Sequence, residues 1–566
     1  MNIRTSSTII SLTLIAAILV SICTMTSPTP KDQINGFSAE RAYRHLEFIA
    51  QKQHSVFDLQ EIEEVRNYLE ETIDAFENVR WTRIKHPQIE VLNHKIRARE
   101  PIDIDNIYAE IPGTSGRYLL LVAHFDSCPY KEKYGVATDG SYGAADDGYG
   151  LATMLEIMRL LNDYAAENEL INGVKFAFTD AEEVALGGAT ALVKEFSYWL
   201  QDVNIVLNLE ARGNKGPLYM FQTGDNNYKL VDFYRHARLP FSFSITAEVY
   251  RHLPNDTDFT PFLKAGYTGL NFATLNSLKY YHTPFDNLDN AHKPTLQFYG
   301  EQIYPLVKEY INHERYGASN AFVSNNNAVF FTLLPGVIIY YSQILSWIFV
   351  VFATLSMIAI TYFAIRKKRL SWKKSLLALC VWAGYLLVAA IVGYLLALCT
   401  GWLTGNTFKI TYMPNVPFDM GLTVIFVVFI LAAALFVAKG CRKLTCSFLE
   451  ILCGATWLMI VLNTVFAFLL HGGTYLFIWP AAFMMAILTL YLFFSATKKR
   501  QVICRQLLQA LAVLTTSILY ITLIYSLFLA LTFGALAVVL LFTSVWGYVL
   551  VSSSNSAIFP QRFLRL

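Results

Sequence analysis

The alternation of apolar and polar positions divides this chain into two parts. Between residues 28 and 330, short apolar runs alternate with helical patterns, and this part holds nearly all of the acidic residues. Between 331 and 553, apolar stretches of roughly 20 residues follow one another, the length that crosses about 30 Å of hydrocarbon. The pattern predicts a soluble domain at 28–330 and an all-α transmembrane domain at 331–553.

Three apolar runs in the soluble part are typical of buried strands, at 118–124, 174–180 and 204–210. Helical patterns lie between them, at 148–162 and 188–200. This order predicts an α/β fold with a mostly parallel or mixed central sheet that is flanked by helices. Polar residues begin where the runs end, and open sheets of this kind bind ligands beyond the carboxyl ends of their strands.

The second part contains seven apolar stretches that predict transmembrane helices. They lie at about 338–363, 376–399, 419–438, 447–470, 475–496, 507–529 and 532–552. An eighth stretch follows Arg4 and runs from Ile9 to Cys23. Because no small-x-small cleavage site follows it, an uncleaved signal anchor at 1–27 is favoured over a cleaved signal peptide.

Lysine and arginine concentrate in alternate loops, at 366–374, 439–443 and 498–505. Short cytoplasmic loops carry such residues in excess, so these three loops are predicted to be cytoplasmic. With eight spans both termini then lie inside, with 554–566 as a cytoplasmic tail, and the soluble domain is extracytoplasmic. We expect a multi-pass protein of the cell membrane; a lumen-facing position in an endomembrane is the alternative.

Composition and charge narrow the function classes. The 566 residues are 54% hydrophobic, with a mean hydropathy of +0.38, which is too apolar for one soluble protein. A net charge of +2 arises largely from the cytoplasmic loops and indicates no nucleic-acid partner. Of eight cysteines only Cys128 lies in the soluble domain, so a disulfide framework is excluded and a metal site is expected to use histidine and carboxylate alone. Homo-oligomerisation stays open.

Metal-ligand chemistry is concentrated in five short segments. They are His124-Phe125-Asp126, Asp146-Asp147-Gly148, Asp180-Ala181-Glu182-Glu183, Asn208-Leu209-Glu210 and Tyr281-His282-Thr283-Pro284. Imidazole and carboxylate are zinc ligands, and two ions need about five such groups with one of them shared. Two ions roughly 3.5 to 4 Å apart activate water and polarise a carbonyl, so the inventory predicts metal-assisted hydrolysis.

Residues from about 38 to 312 resemble peptidases of the M28 family, the co-catalytic zinc aminopeptidases and their relatives, and the resemblance runs through all five segments. It implies two Zn²⁺ per chain, a peptide substrate and a zinc-peptidase-like fold. Membrane-embedded M28 proteins of this kind occur in the endoplasmic reticulum and the vacuole. Position by position, the resemblance implies His124 and His282 as the end ligands, Asp146 as the bridging carboxylate, Glu183 and Glu210 as further ligands, Glu182 as the general base and Asp126 as the carboxylate that fixes the His124 tautomer.

Other polar residues near these motifs have structural interpretations. Asp147 is interpreted as the cap of the helix that starts at Gly148, because aspartate accepts hydrogen bonds from first-turn N–H groups. Asp258, in a stretch Asp256–Phe259 that also resembles a family motif, is equally a cap for the helix predicted at 260–265 or a pocket residue. Arg212 is interpreted as a pocket-rim or ion-pair residue.

An aminopeptidase is the favoured activity, because acidic residues crowd the motifs and favour a substrate ammonium group. A carboxypeptidase needs a cation for the terminal carboxylate, and only Arg212 and Arg251 lie nearby in sequence. Carboxypeptidase activity, a single-zinc glutaminyl cyclase and a non-catalytic receptor or transporter remain the alternatives. Glu450 is the one acidic residue inside a predicted span, since Asp419 stands at the first position of another, and this is thin support for transport.

Overall fold

The computed structural model describes residues 3–133, 136–253, 255–411, 413, 415–494 and 499–553. The chain forms two compact units. A soluble unit comprises residues 26–342, and a membrane unit comprises residues 1–25 together with 343–566. The sequence predicted this boundary at residue 330; the contacts instead assign residues 331–342 to the soluble unit. The N-terminal helix, α1 (Ile3–Met25), belongs to the membrane unit.

The soluble unit is built from strands and helices that alternate through most of its length. In chain order they are α2 (Ala39–Ile49), α3 (Leu59–Asp74), β1 (Arg80–Asn93), β2 (Ala98–Ile111), β3 (Tyr118–His124), β4 (Lys131–Lys133), β5 (Val136–Thr138), α4 (Gly148–Glu167), β6 (Gly173–Thr179), α5 (Glu182–Ala185), α6 (Gly187–Glu195), β7 (Val203–Ala211), β8 (Lys215–Thr223), α7 (Tyr228–Tyr234), α8 (Ser244–Tyr250), α9 (Phe259–Lys264), β9 (Gly269–Asn276), α10 (Lys293–Ile311), β10 (Ala328–Leu334) and β11 (Val337–Ser342).

The central sheet has seven strands in the order β1-β2-β6-β3-β7-β9-β8. The four middle strands are parallel to one another, and the outer strands β2 and β8 pair antiparallel with them. The predicted α/β class with a mixed central sheet is therefore confirmed. All four parallel strands end at the same edge of the sheet, where the topology gathers the residues that follow them.

Both faces of the sheet are covered, as the unbroken apolar sequence of β3 predicts. Leu119 and Leu121 pack into the large core that contains α4 and α10. Leu120 and Val122 point to the other face and join a smaller core that contains residues of α6 and α9. Because successive side chains of a strand point to opposite faces, this alternation fixes which way His124 faces at the strand end.

A hairpin formed by β10 and β11 ends the soluble unit. Ser244 Oγ donates to the carbonyl of Phe330 and accepts from its N–H, and Thr332 N–H donates to the Ser242 carbonyl. These bonds explain why residues beyond 330 belong to the soluble unit. The first predicted span was wrong at its start, because residues 338–342 form a strand. Their β-branched and aromatic residues run without a break into the apolar helix that follows, so composition alone does not separate them.

The membrane unit is helical. After α1 it contains α11 (Gln343–Arg366), α12 (Trp372–Thr404), α13 (Asp419–Lys443), α14 (Phe448–Leu469), α15 (Tyr475–Phe493), α16 (Lys499–Leu531) and α17 (Leu536–Ser553). By length and composition, eight helices among the described residues are able to cross a membrane, as predicted. Inside this unit α12 packs against α14 and α17, and α1 packs against α16.

Glu450, the acidic residue predicted within a span, lies in the first turn of α14 and serves local structure. Ser447 and Glu450 form a reciprocal capping box, in which the Glu450 carboxylate accepts from the Ser447 N–H at 2.6 Å. The same carboxylate accepts the Ser371 N–H at 3.1 Å, which ties the start of α12 to the start of α14.

Candidate metal centre

The predicted ligands converge at the edge where the parallel strands end. His124 is the last residue of β3, and Glu210 is the penultimate residue of β7. Glu182 and Glu183 open α5, directly after β6, and His282 follows β9. Segments that are far apart in sequence therefore meet because their strands are neighbours in one sheet.

His124 is held in one tautomer. Its Nδ1 lies 2.9 Å from the main-chain carbonyl of Asp126, and a carbonyl only accepts, so Nδ1 carries the proton. Its Nε2 is then a lone-pair donor, the state a metal ligand requires. That atom is buried and has no hydrogen-bond partner among the described residues. The tautomer depends mainly on the Asp126 backbone, since the Asp126 carboxylate is 3.4 Å away.

Asp146 lies between the two histidines. Its Oδ1 is 3.6 Å from His124 Nε2, and its Oδ2 is 3.3 Å from His282 Nε2. Glu210 Oε2 approaches the first imidazole at 3.8 Å, and Glu183 Oε1 approaches the second at 3.1 Å. The Asp146 carboxylate thus lies beside two pairs of side chains, His124 with Glu210 and His282 with Glu183.

The carboxylate of Asp126 positions the two glutamates. It accepts the N–H groups of Glu182 at 2.9 Å and of Glu183 at 3.2 Å. These are first-turn donors of α5 that have no partner inside the helix. Ala181, just before them, has a φ of 55°, which turns the chain sharply from β6 into α5. Asp126 therefore fixes where both glutamate side chains start.

Asp286 was missed in the sequence, and it fixes the loop that carries Asp146. Its carboxylate accepts the N–H groups of Ala145 at 2.7 Å and of Asp146 at 3.2 Å, and the Ser141 hydroxyl at 3.2 Å. Burial and the nearby Asp146 carboxylate raise the pKa of Asp286 to about 7. Its position four residues after His282 was the available signal.

Asp147 and Asp258, for which the sequence suggested capping roles, make different contacts in the structure. Asp147 caps α4 as predicted, because its Oδ1 accepts the Gly150 N–H at 3.1 Å. Its other oxygen is buried without a partner in the part of the chain described, and a ligand atom of Asp147 lies within 4.8 Å of those of His124 and Glu210. Asp258 precedes α9 but makes no capping bond; it accepts the Thr179 hydroxyl instead.

A thiol also lies at the His282 end. Ligand atoms of Cys128, Glu183 and His282 all lie within 4.8 Å of one another. The sequence predicted a site of histidine and carboxylate alone, and the structure adds a cysteine sulfur to the atoms that could bind an ion there. Lys131 Nζ contacts the outer oxygen of Glu183 at 2.6 Å, which leaves Glu183 Oε1 directed towards His282.

The charges at this centre are strongly perturbed. Burial and then the Glu210 carboxylate raise the pKa of Glu182 well above its usual range. Burial raises the pKa of Glu210 to about 8. Burial opposes ionisation of Glu183 as well, but His282 and Lys131 hold its pKa well below the usual range. The protein therefore concentrates carboxylates where its own cations do not neutralise all of them.

These residues fit divalent cations. Buried carboxylates and imidazoles are costly unless a partner satisfies them. Here His124 Nε2, Glu183 Oε1 and Asp147 Oδ2 are buried and lack hydrogen-bond partners within the described ranges. Two clusters of three ligand atoms surround these positions, and Asp146 faces both histidines. Imidazole nitrogen with carboxylate oxygen is a donor set that zinc accepts.

The two arginines considered as carboxylate clamps have different surroundings. Arg251 lies on the surface and pairs with Asp225 at 2.9 Å. Arg212 is half-buried, and its charge lowers the pKa of Tyr281, although burial and nearby carboxylates raise that pKa more. The Tyr281 ring stacks on His282, with ring centroids 3.6 Å apart. Arg212 is thus the nearer of the two to the centre.

Comparison with known proteins finds relatives that match part of this chain. Endoplasmic reticulum metallopeptidase 1 of Rattus norvegicus is 30% identical over 245 residues, which cover 42% of this chain and 26% of that protein. The vacuolar membrane protease of Candida dubliniensis is 27% identical over 304 residues, covering 52% of this chain and 31% of its own length. The match therefore spans less than a third of each relative.

Solved structures with similar folds include two bacterial proteins. A glutaminyl cyclase from Porphyromonas gingivalis aligns over 49% of this chain and 99% of its own, with 18% identity and a TM-score of 0.38. A Zn-dependent exopeptidase from Parabacteroides distasonis aligns over 48% and 98%, with 17% identity and a TM-score of 0.39.

Residues 106–307 match the family model described as peptidase family M28. This range contains His124, Asp146, Glu182, Glu210 and His282, and it confirms the resemblance drawn from the motifs. The soluble unit of this chain therefore contains a peptidase domain of family M28.

Proposed function

We propose that this domain is a membrane-anchored di-zinc exopeptidase that acts as an aminopeptidase. The observation that carries the proposal is the position of Asp146, whose two oxygens lie 3.6 Å and 3.3 Å from the Nε2 atoms of two different histidines. One ion would be held by His124, Asp146 and Glu210, and the other by His282, Asp146 and Glu183. Two zinc ions so held supply Lewis acidity and lower the pKa of water.

Glu182 is the proposed general base. It starts α5 beside Glu183, and Asp126 fixes the backbone N–H groups of both residues. A general base is most effective when its pKa lies near the working pH, and burial moves the pKa of Glu182 upward from the ordinary carboxyl range. Its carboxylate would take the proton of the attacking water and pass it to the leaving amine.

The charge of the centre supports recognition of a free N-terminus. The site contains Asp146, Asp147, Glu182, Glu183 and Glu210, and two divalent ions offset four negative charges. Lys131 offsets the charge of Glu183, but Asp258 lies close enough to act on Glu182 and Glu210, so the remaining carboxylate charge favours a substrate ammonium group. Arg251 is engaged by Asp225, so its guanidinium does not serve a substrate carboxylate while that pair is intact.

The test uses the full chain in detergent with three forms of one short peptide: free, N-acetylated and C-amidated. We expect N-acetylation to abolish cleavage and amidation to leave it unchanged. Loss of cleavage on amidation alone would contradict the proposal and indicate a carboxypeptidase, with Arg212→Ala as the next variant. Cyclisation of N-terminal glutamine without peptide cleavage would indicate a glutaminyl cyclase instead.

The proposal includes a multi-pass membrane location with an extracytoplasmic catalytic domain; a lumen-facing endomembrane is the alternative. It rests on the basic loops that follow α11 and α13. A reporter fused after Lys374 should lie in the cytoplasm, and a reporter fused after Gly405 should lie outside. The reverse result would place the catalytic domain in the cytoplasm and contradict this part of the proposal.

A further inference from the structure

Cys128 occupies an unusual position for a buried thiol. It is the only cysteine in the sequence between residues 24 and 379, and it is 1% exposed. It follows β3 by four residues and reaches the His282 end of the centre, where its sulfur, a Glu183 oxygen and a His282 nitrogen lie within 4.8 Å of one another. From the geometry we infer that Cys128 is a ligand of the ion held by Glu183 and His282.

The backbone holds this thiol in place. The Cys128 carbonyl accepts the Ser141 N–H at 2.8 Å, and the neighbouring Ser127 N–H donates to the His54 carbonyl at 3.3 Å. The thiol itself has a weak local contact, at 3.5 Å from the carbonyl of Pro129. The side chain is therefore positioned by its loop and not by a strong hydrogen bond of its own.

Glu183 provides a second, independent sign of a missing ligand. Its side chain is 2% exposed, and Lys131 binds its Oε2 at 2.6 Å. Its Oε1 is buried with no hydrogen-bond partner in the residues described, and it points to His282. An unsatisfied buried carboxylate oxygen beside an imidazole and a thiol is the arrangement expected around a cation.

The dimensions suit zinc. Zinc binds thiolate sulfur at about 2.3 Å, imidazole nitrogen at about 2.0–2.1 Å and carboxylate oxygen at about 2.0–2.2 Å. A tetrahedral ion with those bonds separates its ligand atoms by roughly 3.4 to 3.8 Å. The ligand atoms of Cys128, Glu183 and His282 lie within 4.8 Å of one another, about 1 Å above this range at most. Asp146 Oδ2, at 3.3 Å from His282 Nε2, completes four donors.

The inference changes the chemistry of one end of the centre. As the sulfur–metal bond forms, the thiol loses its proton to solvent, so the ion gains a thiolate and the charge balances. The His282 end then has a softer donor set than the His124 end, where only nitrogen and oxygen atoms meet. Soft ligands favour zinc over magnesium, calcium and manganese, so the two ions should differ in metal preference.

This inference rests on the proposed di-zinc function, and its test separates the two. The full chain is loaded with zinc in detergent, its zinc content is measured, and zinc X-ray absorption records the ligand atoms. We expect two ions per chain and a sulfur neighbour at about 2.3 Å for one of them. Cys128→Ser should remove the sulfur signal and weaken binding of the ion at the His282 end by at least the ~10- to 100-fold that loss of an outer-shell partner costs.

Two further variants assign the signal. Cys446→Ser, which removes a buried cysteine of the membrane unit, should keep the sulfur signal and both affinities. Cys128→Asp should restore much of the affinity without sulfur, because a carboxylate is also a zinc ligand. The wild-type spectrum is decisive even where a substitution destabilises the chain.

The possible results separate the Cys128 inference from the di-zinc proposal. Two bound ions with peptide cleavage but no sulfur neighbour would overturn this inference and leave the proposed function standing. A sulfur signal that persists in Cys128→Ser would also overturn it, because another cysteine would be the donor. Fewer than two zinc ions per chain would refute the di-zinc proposal, and this inference with it.

Discussion

The two units of this protein place their acidic side chains and some of their buried hydroxyls differently. In the membrane unit, hydroxyls of Thr456, Thr522 and Thr543 donate to carbonyls one turn earlier in their own helices. The two acidic residues between 343 and 553, Asp419 and Glu450, lie in first helical turns, where the helix dipole favours negative charge. These hydroxyls and carboxylates are paired within their own helices or at the helix starts.

In the soluble unit, by contrast, buried polar atoms come from distant segments and converge without fully satisfying one another. His124, Asp146 and His282 meet across 158 residues of sequence (282 − 124), and the centre keeps orphaned ligand atoms. Leaving such atoms unpaired costs free energy, and proteins retain that cost mainly at functional sites. Among the described residues, both clusters of potential metal ligands lie in the soluble unit, which is where we propose that the chemistry takes place.

The sharpest way to break this contrast is to neutralise the proposed base. Glu182→Gln should lower kcat by ~10²- to 10⁴-fold, because the amide cannot accept the proton of water. Both metals should stay bound, since Glu182 is not assigned as a ligand. Glu195→Gln, an exposed glutamate at the end of α6, is the matched control and should leave kcat unchanged. A near-normal kcat in Glu182→Gln would assign the base to another residue.

Asp286→Asn tests whether a residue that touches no proposed ion supports the centre. The amide presents an N–H₂ group to the N–H donors of Ala145 and Asp146, so the loop with the shared carboxylate should loosen. We expect metal affinity to fall ~10- to 100-fold. Activity should recover in excess zinc. Asp289→Asn, exposed on the following turn, is the control; equal losses in both variants would point to a general charge effect.

Metal removal should separate the two units energetically. An ion that binds only the folded state stabilises it by about 2.7 kcal/mol at a free concentration 100 times its Kd. Chelation should therefore increase amide hydrogen exchange in peptides from residues 26–342 and leave peptides from 343–553 unchanged. Equal deprotection of both units would show that they unfold together and would remove the distinction drawn here.

Within the membrane unit, Glu450→Gln should have a small effect on stability. The amide retains one acceptor but loses the charge-assisted bond to the Ser447 N–H, and loss of a capping interaction costs about 1 kcal/mol. Exchange should rise in the first turn of α14, while kcat/KM for peptides should not change. A fall in kcat/KM comparable with that of Glu182→Gln would give the membrane unit a part in catalysis.

The smallest predicted effect concerns acid stability of the soluble unit. Hydrogen bonds from Arg83, and then from Arg66, lower the pKa of Glu63 to about 2. Because the folded-state pKa is depressed, the stabilisation is present above the ordinary carboxyl pKa and is lost as pH falls from about 5 to 2. Glu63 is 41% exposed, so we expect less than ~1 kcal/mol. Urea unfolding of wild type and Glu63→Gln should converge at pH 2; a difference that grows at low pH would contradict this sign.

Three strands in the middle of the sheet were predicted well because a buried strand is marked by the apolar residues of its own segment. The strands β3, β6 and β7 are continuous apolar runs, and their observed ends differ from the predicted ends by a residue at most. The fourth parallel strand, β9, and the antiparallel strands at the edges were missed. In β1, polar residues and Pro87 interrupt the pattern, and a register irregularity occurs between His86 and Ile89. The helix predicted at 188–200 is divided into α6 and a 3₁₀ turn at Ser197–Leu200.

Site residues were predictable where a motif carried them and not where only tertiary contacts did. His124, Asp146 and His282 stand in recognisable segments. Asp286 acts through backbone groups 140 and 141 residues earlier, which no local pattern encodes. Cys128 was set aside because one cysteine suggests no metal site by itself. Its neighbours Glu183 and His282 are supplied by strand order.

In the proposed di-zinc centre, the single carboxylate of Asp146 makes the two ends one thermodynamic system. Whichever ion enters first changes the charge and the orientation that the second ion meets, because both imidazoles face the same side chain. Linkage then requires that the second ion alter the affinity of the first by the same factor. A scarce metal supply would therefore not fill the two positions independently: the coupling sets how many chains are doubly loaded, half loaded or empty.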